Sequence, residues 1–160
     1  GYSTLHADTG ETTIKRMTNP PIDVPETVVE AVDLNVVMFR DRRRNFRRVL
    51  EVAEILERED EEGLEANKLY TWNSKEDEIH RENDSREIMD KLEMLTGLEQ
   101  EELMDNLREK RQILDWMIDR EVDTVEGVGR VIAEYYSHKD KVVEAAEQNK
   151  DPEKIMREAK

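Results

Sequence analysis

Few side chains in this sequence are placed to do chemistry. His6 stands in Ser3-Thr4-Leu5-His6-Ala7-Asp8, with Thr18-Asn19-Pro20-Pro21-Ile22 downstream. An imidazole just past the end of a strand sits where open α/β sheets place ligand contacts. From there it can donate a hydrogen bond to a terminal phosphate and pass the loss of that phosphate to a following helix. A lone histidine more often caps its own turn. In this run, with its proline loop, the ligand-sensing reading is preferred.

The other chemical options thin out quickly. No cysteine is present, which excludes disulfides, thiol catalysis and cysteine-based zinc sites. His80 and His138 are far apart in sequence and lack a helical metal-pair spacing. Ser3 has no Gly-x-Ser-x-Gly context, so a hydrolase triad has no support. The acidic run Glu57–Gly63 does not match the alternating oxygen ligands of a calcium loop and reads as an exposed turn. Asn83-Asp84-Ser85 is a formal glycosylation triplet of no use to a cytoplasmic protein. No Gly-x-x-x-x-Gly-Lys-Ser/Thr occurs.

Charge sets a second constraint. The 160 residues carry 25 basic and 40 acidic side chains, a net charge of −15. Such a surface repels nucleic acid and anionic lipid. One basic concentration interrupts it: Arg40, Arg42, Arg43, Arg44, Arg47 and Arg48. It can meet an acidic face of a neighbouring subunit, touch a membrane partner, or simply be a solvated turn. Among the functional options the subunit interface leads.

Elements must hold these groups in place. Gly1–Leu5 reads as the end of a buried strand. Asp8 and Glu11 have capping-box spacing, so a helix is expected to about Met17. Asn19-Pro20-Pro21 stops it, and Pro25 opens a short helix through Val32. Leu34–Phe39 and Phe46–Leu56 are β-branched runs joined by the basic turn, hence an antiparallel hairpin or adjacent strands. Further strands are expected at Lys68–Trp72 and Glu78–Arg81. From Ser85 the apolar period becomes helical. Ile88, Met89, Leu92 and Leu95 form one face, and Gly97 stops that helix. Leu103, Leu107, Leu114 and Met117 mark a second, widened by Ile113 and Trp116. Asp123 and Glu126 cap a third, with Val125, Val128, Ile132, Tyr135 and Tyr136. Lys139–Asn149 is a fourth, and Asp151-Pro152 opens a polar terminal turn that frays. Trp116, Tyr135 and Tyr136 are read as core aromatics. The shift from strands to helices near Asn83 divides the chain into 1–83 and 84–160.

The segment from Ser3 to Asp8, with its Asn-Pro-Pro loop, resembles the histidine box of the secretion ATPases that drive type II secretion, type IV pili and the archaeal flagellum. His6 matches the box histidine, and Ser3, Thr4, Leu5, Ala7 and Asp8 match its flanks. His-Ala-Asp, in place of the His-Thr-Asn of bacterial pilus-retraction ATPases, is similar to the archaeal form. Arg16 matches the arginine before the proline loop. Arg47-Arg48-Val49 and Glu51-Val52 resemble the archaeal run in the following strand. Ile113-Leu114-Asp115-Trp116-Met117, Arg130-Val131-Ile132 and Tyr135-Tyr136 resemble the helical C-terminus of archaeal members. The absent cysteines set the chain apart from bacterial members with a four-cysteine zinc insert.

The resemblance implies an α/β protein, α+β over this stretch. Residues 1–83 would be the C-terminal part of a RecA-like P-loop NTPase core with a β-hairpin, and 84–160 a helical C-terminal subdomain. It implies a homo-hexamer that hydrolyses ATP with Mg and pushes a polytopic membrane platform protein, in the cytoplasm at the inner face of the membrane, with no nucleic acid and no protein-held metal. His6 would sense the γ-phosphate, flanked by Thr4 and Asp8. Arg16, Arg43, Arg44, Arg47 and Arg48 are interface candidates. The phosphate-binding lysine and Walker B glutamate would lie upstream of Gly1. The chain alone is then expected neither to bind nor to hydrolyse ATP appreciably. The competing expectation is a stand-alone, non-catalytic acidic helical module that binds a protein partner.

Overall fold

The computed structural model describes residues 3–59 and 62–153. The chain forms two compact units, Gly1–Leu95 and Thr96–Lys160.

In the first unit, helices α1 (Gly10–Thr18) and α2 (Glu26–Val29) precede strands β1 (Leu34–Asp41), β2 (Phe46–Glu57), β3 (Leu64–Asn73) and β4 (Glu78–Arg81), and α3 (Ile88–Thr96) follows. The strands form one sheet in the order β1-β2-β3-β4, and every pairing is antiparallel. The expected hairpin is present: Asp41 pairs with Phe46, and Arg40 with Arg47. Asn45 takes a left-handed conformation (φ 52°) that asparagine tolerates better than most residues, and so closes the turn.

This architecture overturns the expected RecA-like core. Such a core is built on parallel strands, and a parallel pair needs a crossover of about a dozen residues or more. Here short turns return each strand beside its predecessor, which leaves only the antiparallel choice. The fold of the described residues is α+β. The expected N-terminal strand is also absent where it can be seen. Ser3–Leu5 are exposed and outside any strand, with no ladder partner beside them, and Gly1 and Tyr2 lie outside the described residues.

The two faces of β2 carry different layers. Glu51, Ala53 and Ile55 face α1, whose Gly10, Thr13 and Ile14 turn inward at helical spacing. Ile14, Val29, Ile55 and Leu64 make the buried core, edged by Met17, Val24, Val32 and Ala66. Each such aliphatic side chain contributes about 1.5–3 kcal/mol by leaving water. A Cβ on Gly10 would stand 2.7 Å from the Cβ of Ala66, so only glycine lets α1 lie this close to β3. The helix starts one residue later than its capping spacing suggests. Thr9, not Asp8, is the cap, accepting from the Thr12 amide at 3.0 Å. The Pro20–Pro21 bond in the following loop is cis.

The second unit holds α4 (Gln100–Asp119), α5 (Val125–Ser137) and α6 (Lys139–Glu147). Gly97 at φ 70° supplies the expected stop before it. The carboxylate of Glu102 accepts the Glu99 amide at 2.8 Å ahead of α4, and Thr124, one residue past the expected Asp123, caps α5. Ile113, Trp116, Met117, Val131, Tyr135, Val142, Ala145 and Ala146 form the core. The indole N–H of Trp116 donates to the carbonyl of Lys150 at 3.0 Å, so the ring is buried without an orphaned donor. Two expectations fail here. Tyr136 is 74% exposed, and Leu107 and Leu114 face outward. The packed stripe of α4 runs through Ile113, Trp116 and Met117, roughly one residue around the helix from the leucines. Pro152 and Glu153 are helical, and the rest of the terminal turn lies outside the described residues.

Candidate functional site

The histidine-box segment leads straight into α1. Thr4, His6 and Asp8 are all exposed. Three residues after His6, Thr9 caps the helix. The next backbone amide, Gly10 N–H, donates to Glu51 Oε1 at 2.6 Å. Glu51 is buried, and its other oxygen meets Lys68 Nζ at 3.2 Å. A carboxylate at a helix N-terminus opposes the positive end of the dipole and fills an orphan donor. Glu11 reaches across to accept the Ala66 amide at 3.1 Å. The Thr13 hydroxyl stands 3.0 Å from Asn35 Oδ1 in β1. Three hydrogen bonds thus tie the start of α1 to three strands, while the box residues ahead of it face solvent.

The basic turn is organised by Asp41, whose Oδ1 accepts the amides of Arg43 (2.8 Å) and Arg44 (3.0 Å). The guanidinium groups of Arg40, Arg42, Arg43, Arg44 and Arg47 are exposed. Arg48 is engaged differently. It binds Asp77 with both Nε (2.7 Å) and Nη2 (2.6 Å), and its guanidinium lies 5.0 Å over the Phe46 ring. Trp72 Nε1 donates to the same carboxylate at 3.0 Å. Hydrogen bonds from Arg48 and Trp72 hold the Asp77 carboxyl down to about 2. Phe39, Phe46 and Trp72 cluster beside this pair with ring centroids 5.8–6.1 Å apart. Arg16 is exposed in the last turn of α1.

A second buried carboxylate was not read from the sequence. Glu54 is fully buried on the face of β2 opposite α1. It accepts from the Ser85 hydroxyl, from Asn67 Nδ2 (3.0 Å) and from the amides of Arg86 (3.0 Å) and Ile88 (3.1 Å). Burial pushes its carboxyl up, but the four donors outweigh burial and hold it below the usual glutamate value. Glu54 therefore fixes the entry to α3. The only clue in the sequence was a charged residue between apolar neighbours in a strand.

No family model matches the chain. It is similar to an uncharacterized protein of Methanocaldococcus jannaschii, 28% identical over 158 residues. The match covers 96% of this chain and 20% of that protein, so the chain spans about a fifth of the relative's length.

The resemblance implies ATP and Mg. The sequence holds no Gly-x-x-x-x-Gly-Lys-Ser/Thr loop to cradle phosphate. A shallow recess of about 370 Å³ between α2 and the β2–β3 turn is lined by Glu26, Glu30, Glu57 and Glu62 against the single cation Arg58, a balance that disfavours phosphate. No group of three or more metal-ligating side chains converges among the described residues. No helix among them is long and apolar enough to cross a membrane. These residues do not by themselves fit the nucleotide.

Proposed function

We propose that the chain is the C-terminal part of a secretion-family motor ATPase. Its homo-hexamer would couple ATP hydrolysis to assembly of archaeal flagella or type IV pili, or to protein secretion. One observation carries the reading: the residues that resemble the histidine box stand directly ahead of a helix start tied to the buried Glu51. A displacement at His6 has only Ala7, Asp8 and Thr9 to cross before it reaches α1, and α1 is bonded to β2 and β3. In this reading His6 senses the γ-phosphate with Thr4 and Asp8 at its flanks. ATP and Mg are held by parts of a longer protein outside these residues. The motor works in the cytoplasm, at the inner face of the membrane, against a polytopic platform protein.

The test uses the longer protein. His6→Ala is expected to lower kcat for ATP at least tenfold and to leave nucleotide affinity within about threefold, the pattern of a group that acts after binding. The 160-residue chain alone is expected to show no turnover. Unchanged kcat in the variant, or turnover by the isolated chain, sinks the reading.

A second reading, a non-catalytic acidic helical module, draws on the second unit. Leu107, Leu114 and Ile118 on α4, and Val125, Ile132 and Tyr136 on α5, are exposed at the same i, i+7, i+11 spacing. A partner that bound this unit as well in the absence of any ATPase activity would favour it.

A further inference from the structure

The first unit carries opposite charge at the two ends of β2. At one end the β1–β2 turn presents Arg40, Arg42, Arg43, Arg44 and Arg47. At the other end lies the recess lined by Glu26, Glu30, Glu57 and Glu62, with the Glu26 carboxylate 3.9 Å from the position of a Cβ on Gly63. None of these nine side chains has an ion-pair partner among the described residues. Arg58, also at the recess, is engaged by its own loop, donating from Nε to the Leu64 carbonyl at 3.2 Å. β2 is 12 residues long, so the two ends are roughly 35 Å apart. The tip of one chain cannot reach its own recess.

We infer that the arginine turn of one copy docks in the acidic recess of a second copy. The partner is identified by complementarity. The net charge of −15 disfavours any acidic partner held broadly, yet the tip needs a concentrated acidic surface, and this chain carries one with room for side chains. The recess is concave and lined by carboxylates, which suits guanidinium forks that bind carboxylate bidentately. Because tip and recess are different surfaces, the contact is head to tail. Head-to-tail contacts close into rings when the rotation per copy permits and otherwise run on as filaments. The inference deepens the ring of the proposed function by naming its surfaces, and it rests on that reading only for closure.

Salt separates this contact from general repulsion. At about 0.1 M the Debye length is about 10 Å, so the net negative charges of two copies are screened while pairs in contact persist. At about 1 M the contact pairs weaken too.

Sedimentation velocity on the 160-residue protein, without nucleotide, tests it. The protein is expected to associate in a concentration-dependent manner at about 0.1 M salt and to be monomeric at about 1 M. R43E/R44E and, separately, E26K/E57K are each expected to weaken self-association at least tenfold, like-charge juxtaposition at a contact being costly. An equimolar mixture of the two variants should then reassociate to within about threefold of wild type, because each reversed surface meets its complement. All four residues are exposed, and circular dichroism checks each variant's fold. R43A/R44A and E26Q/E57Q, which remove charge without reversing it, give intermediate weakening if a reversed variant misfolds. A wild-type protein monomeric at both salts, association unchanged in either pair, or a mixture that stays dissociated overturns the inference. Any of these results leaves the ATPase assay in the longer protein untouched, so the two readings fail separately.

Discussion

The amide of Gly10 and the carboxylate of Glu51, 41 residues apart in sequence, meet at 2.6 Å in the interior of the first unit. This bond fixes where the helix behind His6 begins. It joins the first described helix to the central strand β2 and leaves the box residues outside it.

Removing that carboxylate is expected to loosen the whole N-terminal layer. Glu51→Ala orphans the Gly10 amide and leaves Lys68 without its partner, and should cost about 2 kcal/mol. Glu51→Gln keeps an acceptor and should cost about half as much. Trp72 lies in the first unit and Trp116 in the second, so a Trp116→Phe background isolates the first unit's urea transition by fluorescence. Equal midpoints for wild type and Glu51→Ala would dismiss the clamp.

Gly10→Ala should destabilise although alanine is the better helix former. The new Cβ stands 2.7 Å from the Ala66 Cβ, a contact made by rigid atoms, and forcing the layers apart should cost about 1–3 kcal/mol. Ala66→Gly in the same chain should recover part of the loss. If the double variant is no more stable than Gly10→Ala alone, the close approach is not the cause.

Glu54 gives a signed pH dependence. Its folded carboxyl lies below the 4.5 of a free glutamate. Its contribution is therefore complete above that value and is lost as pH falls through the lower folded value. Wild type should lose stability on acidification below about pH 4.5, and Glu54→Gln should flatten that loss. At neutral pH the same variant should be weaker by about 2–4 kcal/mol, because an amide cannot satisfy four donors. Parallel stability curves for the two proteins between pH 3 and 7 would count against this account.

In the second unit Tyr135 donates to Glu109 Oε1 at 2.6 Å, and Lys139 sits 3.0 Å from Oε2 of the same carboxylate. Burial first, then the Glu109 bond, pushes the Tyr135 phenol up to about 12. The neutral phenol is favoured by folding, so this stability is complete below 10 and drains as pH rises toward 12. Its ionisation should appear as a late step, near 12, in an ultraviolet titration. Tyr135→Phe should abolish that late step and cost about 1 kcal/mol. A titration that keeps its late step in the variant would reassign it.

Local order was legible in the sequence where it depends on near neighbours. The β1–β2 hairpin followed from two β-branched runs around Asn45, and Glu78–Arg81 was placed as a strand from its own residues. Helix phase was less legible. α4 carries two overlapping apolar stripes, and Leu107 and Leu114 looked as suitable for a core as Ile113 and Met117. Packing against Val131, Tyr135 and Val142 chose between them, and that choice is not written in α4 alone. The buried glutamates were least legible. Glu51 and Glu54 are acceptable inside because donors arrive from other elements: from α1 and Lys68 to Glu51, and from Asn67 and Ser85–Ile88 to Glu54. The parallel core was expected from a resemblance whose most specific residues all precede the sheet, and the strands that follow pair by a different rule. The arrangement around His6 was legible only in part. The helix behind it was foreseen, but not the carboxylate that holds it.

The sheet's pairing of each strand with its immediate predecessor bears on how the molecule is made. Such a meander needs only brief loop closures, which lowers the entropic barrier to its formation. During synthesis β1 can pair as soon as β2 leaves the ribosome, and each later strand joins an existing edge. The residues at the front of the chain must wait: Gly10 has no partner until Glu51 and Ala66 have emerged. The segment bearing His6 is thus made before the strands that anchor the helix behind it.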